Sequence, residues 1–379
     1  MYGNKGKNIL ICPLDWGIGH ATRSEYIARA LVQKGCNVFI AGTSVILDSI
    51  SNNLPARRIL FRSIKVRYSK FLPQYIVVLF QLPFLMLQAF SDHFNIRRFI
   101  RRYQIDIVIS DNRFGLWSNK AYTVYITHQL RIKLSRRLRF MELFLSFIHN
   151  WVIGKYNECW IPDLPGEPNL AGELSHPSQL PENSSYIGLL SKLQGIQTLS
   201  QKELIERSFI TLILSGPEPQ RSVLEDKITG LPALAGKLLV VVAGQPVMHG
   251  NSETRNYHVR YSYPDPAILK WLIEESELVI CRSGYSTLMD LSLIGKSALL
   301  VPTPGQTEQE YLAGYLEGKG WYKVLRQDKI DDITDLMSMK VSSIPQMREL
   351  SEILFEKAIS RLLGEEKGYK ERKKSKYKT

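Results

Sequence analysis

Short apolar runs recur along the chain, and most of them end at a small polar or glycine-rich segment. In the first half these runs cover 7–14, 37–42, 105–110 and 123–127; in the second half they cover 209–214, 237–243, 257–263, 278–281 and 298–301. Segments with helical spacing of apolar residues lie between several runs, as from Ala21 to Val32 and from Thr287 to Ile294. Strands that alternate with helices predict βαβ units, and so a parallel sheet in each half.

The chain is too long, at 379 residues, for one typical hydrophobic core. The segment from Asp163 to Ser185 is rich in Pro, Gly, Ser, Asn and Glu and lacks periodicity, which is typical of a linker. We therefore predict a first domain over 1–165 and a second over 166–345. An amphipathic helix over 346–364 and a charged, disordered tail over 365–379 are expected to follow.

The first predicted strand ends at a glycine-rich loop, Gly17-Ile18-Gly19-His20. The third glycine of a dinucleotide-binding fingerprint is missing and no acidic residue follows the second strand, so a nicotinamide or flavin site is not expected. His20 opens the next helix. It either caps or packs within the first turn or faces a cleft, and we favour the cleft.

Polar residues also follow two later strands of the first half. They are Asp111, Asn112 and Arg113 after one strand and His128 and Gln129 after the next. Carboxyl ends of parallel strands meet at one edge of a sheet, so these residues should converge with His20. A carboxylate that holds one imidazole nitrogen leaves the other free to accept a proton, which makes Asp111 the expected partner of His20. The alternative for Asp111 is an Asx turn.

One loop of the second half has the composition of a phosphate site. It contains Arg282, Ser283 and Gly284. A small-residue turn that enters a helix presents free N–H groups and the positive end of the helix dipole to an anion. Because no Asp-x-Asp motif is present, a metal-bridged diphosphate is not indicated, and Arg282 is the expected cation at the leaving group.

The order of these parts resembles the donor-binding half of glycosyltransferase family 28, a family of GT-B nucleotide-sugar transferases. The resemblance is carried by Cys281-Arg282-Ser283-Gly284, by Thr287, and by the strand from Ala298 to Pro302. Asp290 stands where the family has a ribose-binding Glu. Gln309 stands where the family has Gln, whereas Glu310 and Ala313 replace a second Gln and an Asn.

The resemblance implies an α/β protein with the GT-B fold, in which two Rossmann-like, doubly wound parallel-sheet domains face each other across a cleft. It also implies an inverting, metal-independent glycosyltransferase that needs no cofactor. A hexose or N-acetylhexosamine would pass from a UDP-sugar to a hydroxyl of a lipid-linked or glycan acceptor, with His20 as general base and Asp111 orienting it. A UDP-sugar 2-epimerase of the same fold and a non-catalytic scaffold that binds nucleotide sugar or lipid stay open as alternatives.

The implied contacts fall into two groups. Those to the donor are Ser215, Gly216, Gln220, Arg221, Arg282, Ser283, Gly284, Ser286, Thr287, Asp290, Gln309 and Glu310. Those to the acceptor are Gly17, Gly19, Asn112, Arg113, His128 and Gln129.

The net charge of +13 is unevenly distributed. Residues 1–170 hold 23 Lys and Arg against 10 Asp and Glu, whereas residues 171–363 hold 19 against 23. A basic half can meet nucleic acid, anionic lipid or a phosphorylated substrate. No zinc-finger spacing or RNP motif is present, so nucleic acid is not an expected partner.

The most apolar stretch, 71–90, is interrupted by Pro73 and Pro83 and has basic residues on both sides, and 131–147 again combines Lys and Arg with aromatic residues. This pattern favours a segment lying at a membrane interface, and a core helix stays open as the alternative. Four widely separated cysteines indicate a reducing compartment. We expect a cytoplasmic enzyme of the cell envelope, held peripherally at the inner face of the cytoplasmic membrane.

Overall fold

The computed structural model describes residues 6–15, 17–63, 74–134, 136–197, 208–216, 218–234, 236–245, 252–255, 258–332 and 341–365. The expectations for 71–73 and for 366–379 lie outside these residues.

Strands and helices alternate through both halves. The first half contains β1 (Asn8–Pro13), α1 (Ile18–Gln33), β2 (Asn37–Gly42), α2 (Ser44–Asp48), β3 (Arg57–Leu60), α3 (Gln74–Tyr103), β4 (Ile107–Asp111), β5 (Tyr122–Ile126), α4 (Glu142–Ile153), β6 (Glu158–Ile161) and β7 (Ser184–Tyr186). The second half contains β8 (Phe209–Ile213), α5 (Gln220–Thr229), β9 (Leu238–Val242), β10 (Ser252–Arg255), β11 (His258–Tyr261), α6 (Pro266–Glu275), β12 (Leu278–Cys281), α7 (Tyr285–Ile294), β13 (Leu299–Leu300), α8 (Thr307–Gly318), β14 (Lys323–Val324) and α9 (Arg348–Leu363). Short 3₁₀ helices cover Arg136–Met141, Gly172–Leu174, Pro232–Leu234 and Gln327–Asp332.

The strands form two separate sheets, as the apolar pattern predicts. The described strands of the first sheet lie in the order β3-β2-β1-β4-β5-β6-β7 and those of the second in the order β10-β11-β9-β8-β12-β13-β14. All of these pairings are parallel except that of β10 with β11.

Each sheet has a point where the strand order reverses, and ligands of open α/β sheets bind there. In the first sheet β1 and β4 are neighbours, with Pro13 opposite Asp111. In the second sheet β8 and β12 are neighbours, with Ile213 opposite Cys281. The loops after these four strands include the glycine-rich and small-residue turns found in the sequence.

The segment between the domains is more ordered than its composition predicts. β7 pairs with β6, so the first sheet continues beyond residue 165 into the predicted linker. The buried carboxylate of Asp163 accepts hydrogen bonds from the backbone of Leu170 and Ala171 and from the Ser175 hydroxyl, which fixes the loop between them. Buried hydrogen bonds thus replace the periodic apolar pattern that this segment lacks.

The last helix packs on the first domain. Phe355, Ala358 and Ile359 of α9 belong to the apolar core that includes α1 and β1. The Lys7 ammonium also donates to the carbonyls of Leu362 and Leu363 at the end of this helix. The helix therefore ties the end of the described chain to its beginning.

Candidate active site in the cleft between the domains

His20 and Asp111 meet at the first switch point. His20 lies in the first turn of α1, Asp111 is the last residue of β4, and the distance from Nδ1 of the imidazole to Oδ1 of the carboxylate is 3.1 Å. Asp111 is fully buried, whereas the His20 side chain keeps 19% of its surface exposed. The pair predicted from the strand order is therefore present.

Arg23 joins this pair, and the sequence reading missed it. It lies one turn after His20 on α1, its Nε donates to Oδ2 of Asp111 at 2.7 Å, and its Nη2 donates to Oδ1. The same Nη2 lies 2.8 Å from Nδ1 of His20. The sequence does contain a signal for this contact, because Arg23 follows His20 by three residues on the predicted helix and residues at this spacing are neighbours on a helix surface.

The buried ion pair sets the protonation of the group. Burial raises the pKa of Asp111, but Arg23 and His20 outweigh this and bring it to about 2. Burial lowers the pKa of His20, Asp111 opposes this shift, and Arg23 adds to it. At neutral pH the site therefore presents a carboxylate and a neutral imidazole.

The N-termini of α1 and α7 face each other across the cleft. A Cβ added at Gly19 would lie 2.5 Å from Oγ of Ser286, so the two helix ends approach closely here. Neither helix has an acidic residue in its first turn. Two unneutralised helix N-termini make this part of the cleft favourable for an anion.

Ser215 comes close to the same place from the loop after β8. A Cβ built on Gly284 lies 3.7 Å from its hydroxyl, so Ser215, Gly216 and Gly284 are neighbours at the second switch point. Arg221 instead pairs with Glu218 and donates to the Gly244 carbonyl. Gln220 opens α5, and its carbonyl accepts from Arg282.

Arg282 does not face the cleft, which corrects the expectation that it meets the leaving group. Its side chain is fully buried and donates to the carbonyls of Val301, Pro302 and Gln220 and to Oε1 of Gln327. Successive side chains along a strand point in opposite directions, and the Arg282 side chain points into the second domain, where four acceptors bind its two terminal nitrogens.

Ser283 and Gln309 are also engaged inside the second domain. Both are buried; Ser283 donates to the Gln309 carbonyl, and the Gln309 side chain accepts from the Thr303 amide. Glu310 accepts from the Gly305 amide. These residues shape the loop after β13, and none of these contacts is directed at the cleft.

Glu308 is the acid of this loop that reaches the first domain. Its Oε1 lies 2.8 Å from Nε2 of His128, and its side chain is 25% exposed. Burial raises the pKa of Glu308, but His128, Gln129 and His20 together outweigh burial and hold the pKa below its usual range. The Gln129 side chain bonds the same carboxylate. Sequence reading selected Gln309 and Glu310 and passed over this residue.

Asp290 lies in α7, and a hydrogen bond joins it to the linker. It accepts from the Ser191 hydroxyl. Burial raises its pKa to about 6, which Ser191 and Lys192 only partly oppose. Thr287 and Ser286 lie in the first turn of the same helix and are partly exposed.

Of the residues assigned to the acceptor, Arg113 is placed away from the cleft. It is buried, and two of its nitrogens donate to Asp92 of α3 at 3.0 and 2.8 Å. Because this ion pair anchors α3 to the loop after β4, the structure corrects the expectation of an acceptor contact. Asn112 has φ 59 and accepts from the Tyr125 hydroxyl. Gly17, Gly19, His128 and Gln129 remain at the cleft edge.

Comparison with known families concerns mainly the second domain. Residues 249–362 match the glycosyltransferase family 28 C-terminal domain. A UDP-N-acetylglucosamine–N-acetylmuramyl-(pentapeptide) pyrophosphoryl-undecaprenol N-acetylglucosamine transferase of Clostridium botulinum is 26% identical over 148 residues, which are 38% of this chain and 41% of that protein. The protein of the same name from Finegoldia magna is 33% identical over 110 residues, 28% of this chain and 29% of its own length. The chain thus spans less than half of these curated relatives.

Solved structures match over nearly the whole chain. CalG4, the calicheamicin glycosyltransferase, superposes with a TM-score of 0.60 over 97% of this chain and 99% of its own, at 13% identity. The spinosyn rhamnosyltransferase SpnG gives a TM-score of 0.59 over 92% and 95%, at 14% identity. Identities this low concern the fold. The chain therefore has the GT-B fold that its sequence predicts, and within its second half residues 249–362 match the glycosyltransferase family 28 C-terminal domain.

Proposed function

We propose that the protein is a glycosyltransferase that moves a sugar from a UDP-sugar to an acceptor hydroxyl by direct, inverting displacement. The observation that carries the proposal is the contact of His20 with Asp111 at the cleft, opposite the N-terminus of α7. The family of the second domain and the UDP-sugar named by its curated relatives support the choice of donor.

The general base in this proposal is His20. With Asp111 accepting from Nδ1–H, the lone pair of Nε2 is free to take the proton of an acceptor hydroxyl as the oxygen attacks the anomeric carbon. The lowered pKa of His20 keeps the imidazole in its unprotonated form at neutral pH. Inversion follows when the attacking hydroxyl and the leaving diphosphate lie on opposite faces of the sugar.

The leaving diphosphate would be stabilised without a metal. In the cleft its oxygens meet the free N–H groups of α7, the Ser215 hydroxyl and the positive end of a second helix, α1. This arrangement takes over the role that the sequence assigned to Arg282. The carboxylate of Asp290, which also lies on α7, would accept hydrogen bonds from the ribose hydroxyls.

Glu308 is our choice for the contact to the donor sugar. It is the partly exposed carboxylate at the N-terminus of α8, and its negative charge is held by His128. A carboxylate accepts hydrogen bonds from vicinal sugar hydroxyls, which suits a hexose or an N-acetylhexosamine. Gln309 and Glu310 would support this residue by fixing the loop after β13.

An apolar patch on the first domain supports a lipid-linked acceptor and attachment to an anionic membrane. Phe84, Met86, Leu87, Phe90 and Phe94 of α3 and Phe140, Leu143, Phe144, Phe147 and Trp151 on and before α4 are each more than half exposed. The loop after β4 contacts both helices, through Arg113 with Asp92 and through Phe114 with His149. We call these ten side chains the apolar patch.

Basic residues accompany the patch, since Arg97, Arg98, Arg101 and Arg102 of α3 are exposed. Exposed aromatic residues beside arginines are typical of a surface that lies on an anionic leaflet. Within the part of the chain that the structure describes, none of the helices combines the length and the apolar character needed to span a bilayer. We propose a peripheral position at the cytoplasmic face of the membrane.

The decisive experiment measures release of UDP from a panel of UDP-sugars, with and without a polyprenyl-diphosphate-linked sugar acceptor. His20→Asn should lower acceptor-dependent turnover by about 10²–10⁴-fold, the usual contribution of a general base, while UDP still binds in calorimetry. His93→Asn is the matched control, because His93 contacts Trp117 and Arg97 on the α3 side. Epimerisation of the sugar without acceptor would replace transfer by the epimerase reaction. UDP binding without turnover in the wild type would leave a binding scaffold, and unchanged turnover of His20→Asn would refute His20 as the base.

A further inference from the structure

Arg23 is buried at the floor of the cleft, with 2% of its surface exposed. Its guanidinium grips both oxygens of Asp111 and also touches His20. A buried ion pair is costly to desolvate, and apolar side chains of the same size are often as stable. Because the pair contacts the imidazole of His20, we looked for a role of Arg23 other than stabilising the fold.

The contacts at Nδ1 of His20 show what Arg23 does to the imidazole. A carboxylate only accepts and a guanidinium only donates. Nδ1 therefore bonds Asp111 when it carries the proton and Arg23 when it does not, at 3.1 and 2.8 Å respectively. The bidentate grip of Arg23 fixes the plane of the Asp111 carboxylate, and thereby the position in which Asp111 receives Nδ1–H.

The charges around the imidazole come from four elements. Asp111 lies on β4, Arg23 on α1, His128 after β5 and Glu308 on α8. Arg23 and Asp111 together carry no net charge, so His20 does not meet the uncompensated carboxylate of a simple His–Asp pair. An uncompensated carboxylate would favour the imidazolium, which cannot act as a base.

We infer that Arg23 is a positioning residue for the base, and that Arg23, Asp111 and His20 work as one three-residue unit. The inference deepens the proposed function and rests on it for the role of His20 as the proton acceptor. Arg23 acts through Asp111: it holds the carboxylate where it accepts Nδ1–H, the tautomer in which Nε2 is unprotonated, and it cancels the charge that would favour the imidazolium.

The test compares Arg23→Gln with the double variant Arg23→Gln/Asp111→Asn by titrating the His20 imidazole in NMR spectra of the full chain. The His20 signal is assigned by its loss in His20→Asn. In Arg23→Gln the unpaired carboxylate should raise the pKa of His20 above that of the wild type. In the double variant, which lacks both charges, the pKa should return towards the wild-type value. Arg29→Gln, which breaks the ion pair with Glu25 on the same helix, should leave the titration unchanged.

Activity gives the second readout. The acid limb of the kcat/KM profile of Arg23→Gln should move to higher pH, and kcat at pH 7 should fall by about tenfold or more with little change in the donor KM. Arg23→Lys keeps the positive charge but cannot bind both carboxylate oxygens with two N–H groups. In this variant His20 should titrate as in the wild type, whereas kcat should still fall. If the single and double variants lose melting temperature while His20 titrates as in the wild type, Arg23 is structural and the inference is wrong. The NMR titration needs no substrate, so a wild type without transferase activity would refute the proposed function and leave the three-residue unit to be judged separately.

Discussion

The imidazole of His128 lies flat on the phenol ring of Tyr285, with the ring centroids 3.9 Å apart and the planes 5° from parallel. His128 follows β5 of the first domain, and Tyr285 opens α7 of the second. The Tyr285 hydroxyl donates to the Pro162 carbonyl at 2.7 Å, and His128 also bonds Glu308. A stack and two hydrogen bonds therefore join the domains beside His20 and Asp111.

Substitutions at Tyr285 should separate the contributions of the stack and the hydrogen bond. Tyr285→Phe keeps the ring and leaves the Pro162 carbonyl without its donor, which should cost about 1–3 kcal/mol of stability. Tyr285→Leu also removes the stack, which adds about 0.5–1.5 kcal/mol. The measurement is thermal unfolding of both variants beside the wild type. Equal melting temperatures for Tyr285→Phe and the wild type would show that the hydroxyl does not hold the domains together.

A side chain at Gly19 should disturb the contact between α1 and α7. In Gly19→Ala the new Cβ meets Oγ of Ser286 at 2.5 Å and Cβ of Ser286 at 3.1 Å, so the Ser286 hydroxyl must rotate away and the contact between α1 and α7 must loosen slightly. We expect a lower melting temperature and slower transfer than in the wild type. Gly17→Ala is the matched control, because Gly17 is extended and a Cβ there meets no described atom within 4 Å.

A second substitution identifies the cause. If contact with Ser286 is the reason for the defect, Gly19→Ala/Ser286→Gly should recover most of the activity. A double variant as impaired as Gly19→Ala would place the fault in the backbone of the first loop instead.

The sequence predicts nine of the fourteen described strands, because their apolar runs are short, continuous and bounded by turn residues; it does not predict β3, β6, β7, β10 and β14. Leu278–Cys281 and Asn37–Gly42 are found with the predicted limits. The meeting of His20 with Asp111 also follows from strand order, since loops at the carboxyl ends of adjacent parallel strands are neighbours.

The directions of long side chains could not be predicted in the same way. Arg282 and Arg113 follow strands at the cleft edge, yet each turns inward to acceptors supplied by distant segments, Gln327 for Arg282 and Asp92 for Arg113. A local pattern places the backbone, but the partner that satisfies a buried guanidinium depends on tertiary packing. Glu308 was missed for the same reason, because its partner His128 lies in the other domain.

The apolar patch should bind anionic membranes. Phe144→Ser/Phe147→Ser exchanges two exposed rings of α4 for polar side chains, and burial of each ring contributes about 1.5–3 kcal/mol when it is complete. We expect at least about a tenfold loss of binding to phosphatidylglycerol vesicles in sedimentation. Ile353→Ser on α9 is the control, because Ile353 is 57% exposed and lies outside the patch. Equal sedimentation of both variants, or none for the wild type at low salt, would contradict membrane attachment through α4.

The ion pair of Arg113 with Asp92 should act on stability and not on the acceptor. Arg113→Met leaves Asp92 buried without its cation, which should cost about 3–5 kcal/mol. Arg113→Met/Asp92→Leu replaces both charges by apolar side chains and should recover most of that loss, with the acceptor KM unchanged. If the double variant is stable but its acceptor KM rises, Arg113 contacts the acceptor, as the sequence predicts.

Asp290 should make donor binding depend on pH near neutrality. Burial raises its pKa from 3.8 to about 6, so the folded chain holds this proton more tightly than the unfolded chain, and the stability from this group is lost as the pH rises through 6. Affinity for a UDP-sugar, which needs the carboxylate, should fall up to about tenfold per pH unit below 6.

Asp290→Asn should bind the UDP-sugar weakly at every pH and melt at a higher temperature than the wild type at pH 8, since no buried charge remains. Calorimetry from pH 5 to 8 measures this with a UDP-sugar, because the terminal phosphate of UDP itself titrates near pH 6. If the affinity for the UDP-sugar depends on pH in the same way in the wild type and in Asp290→Asn, Asp290 does not contact the donor.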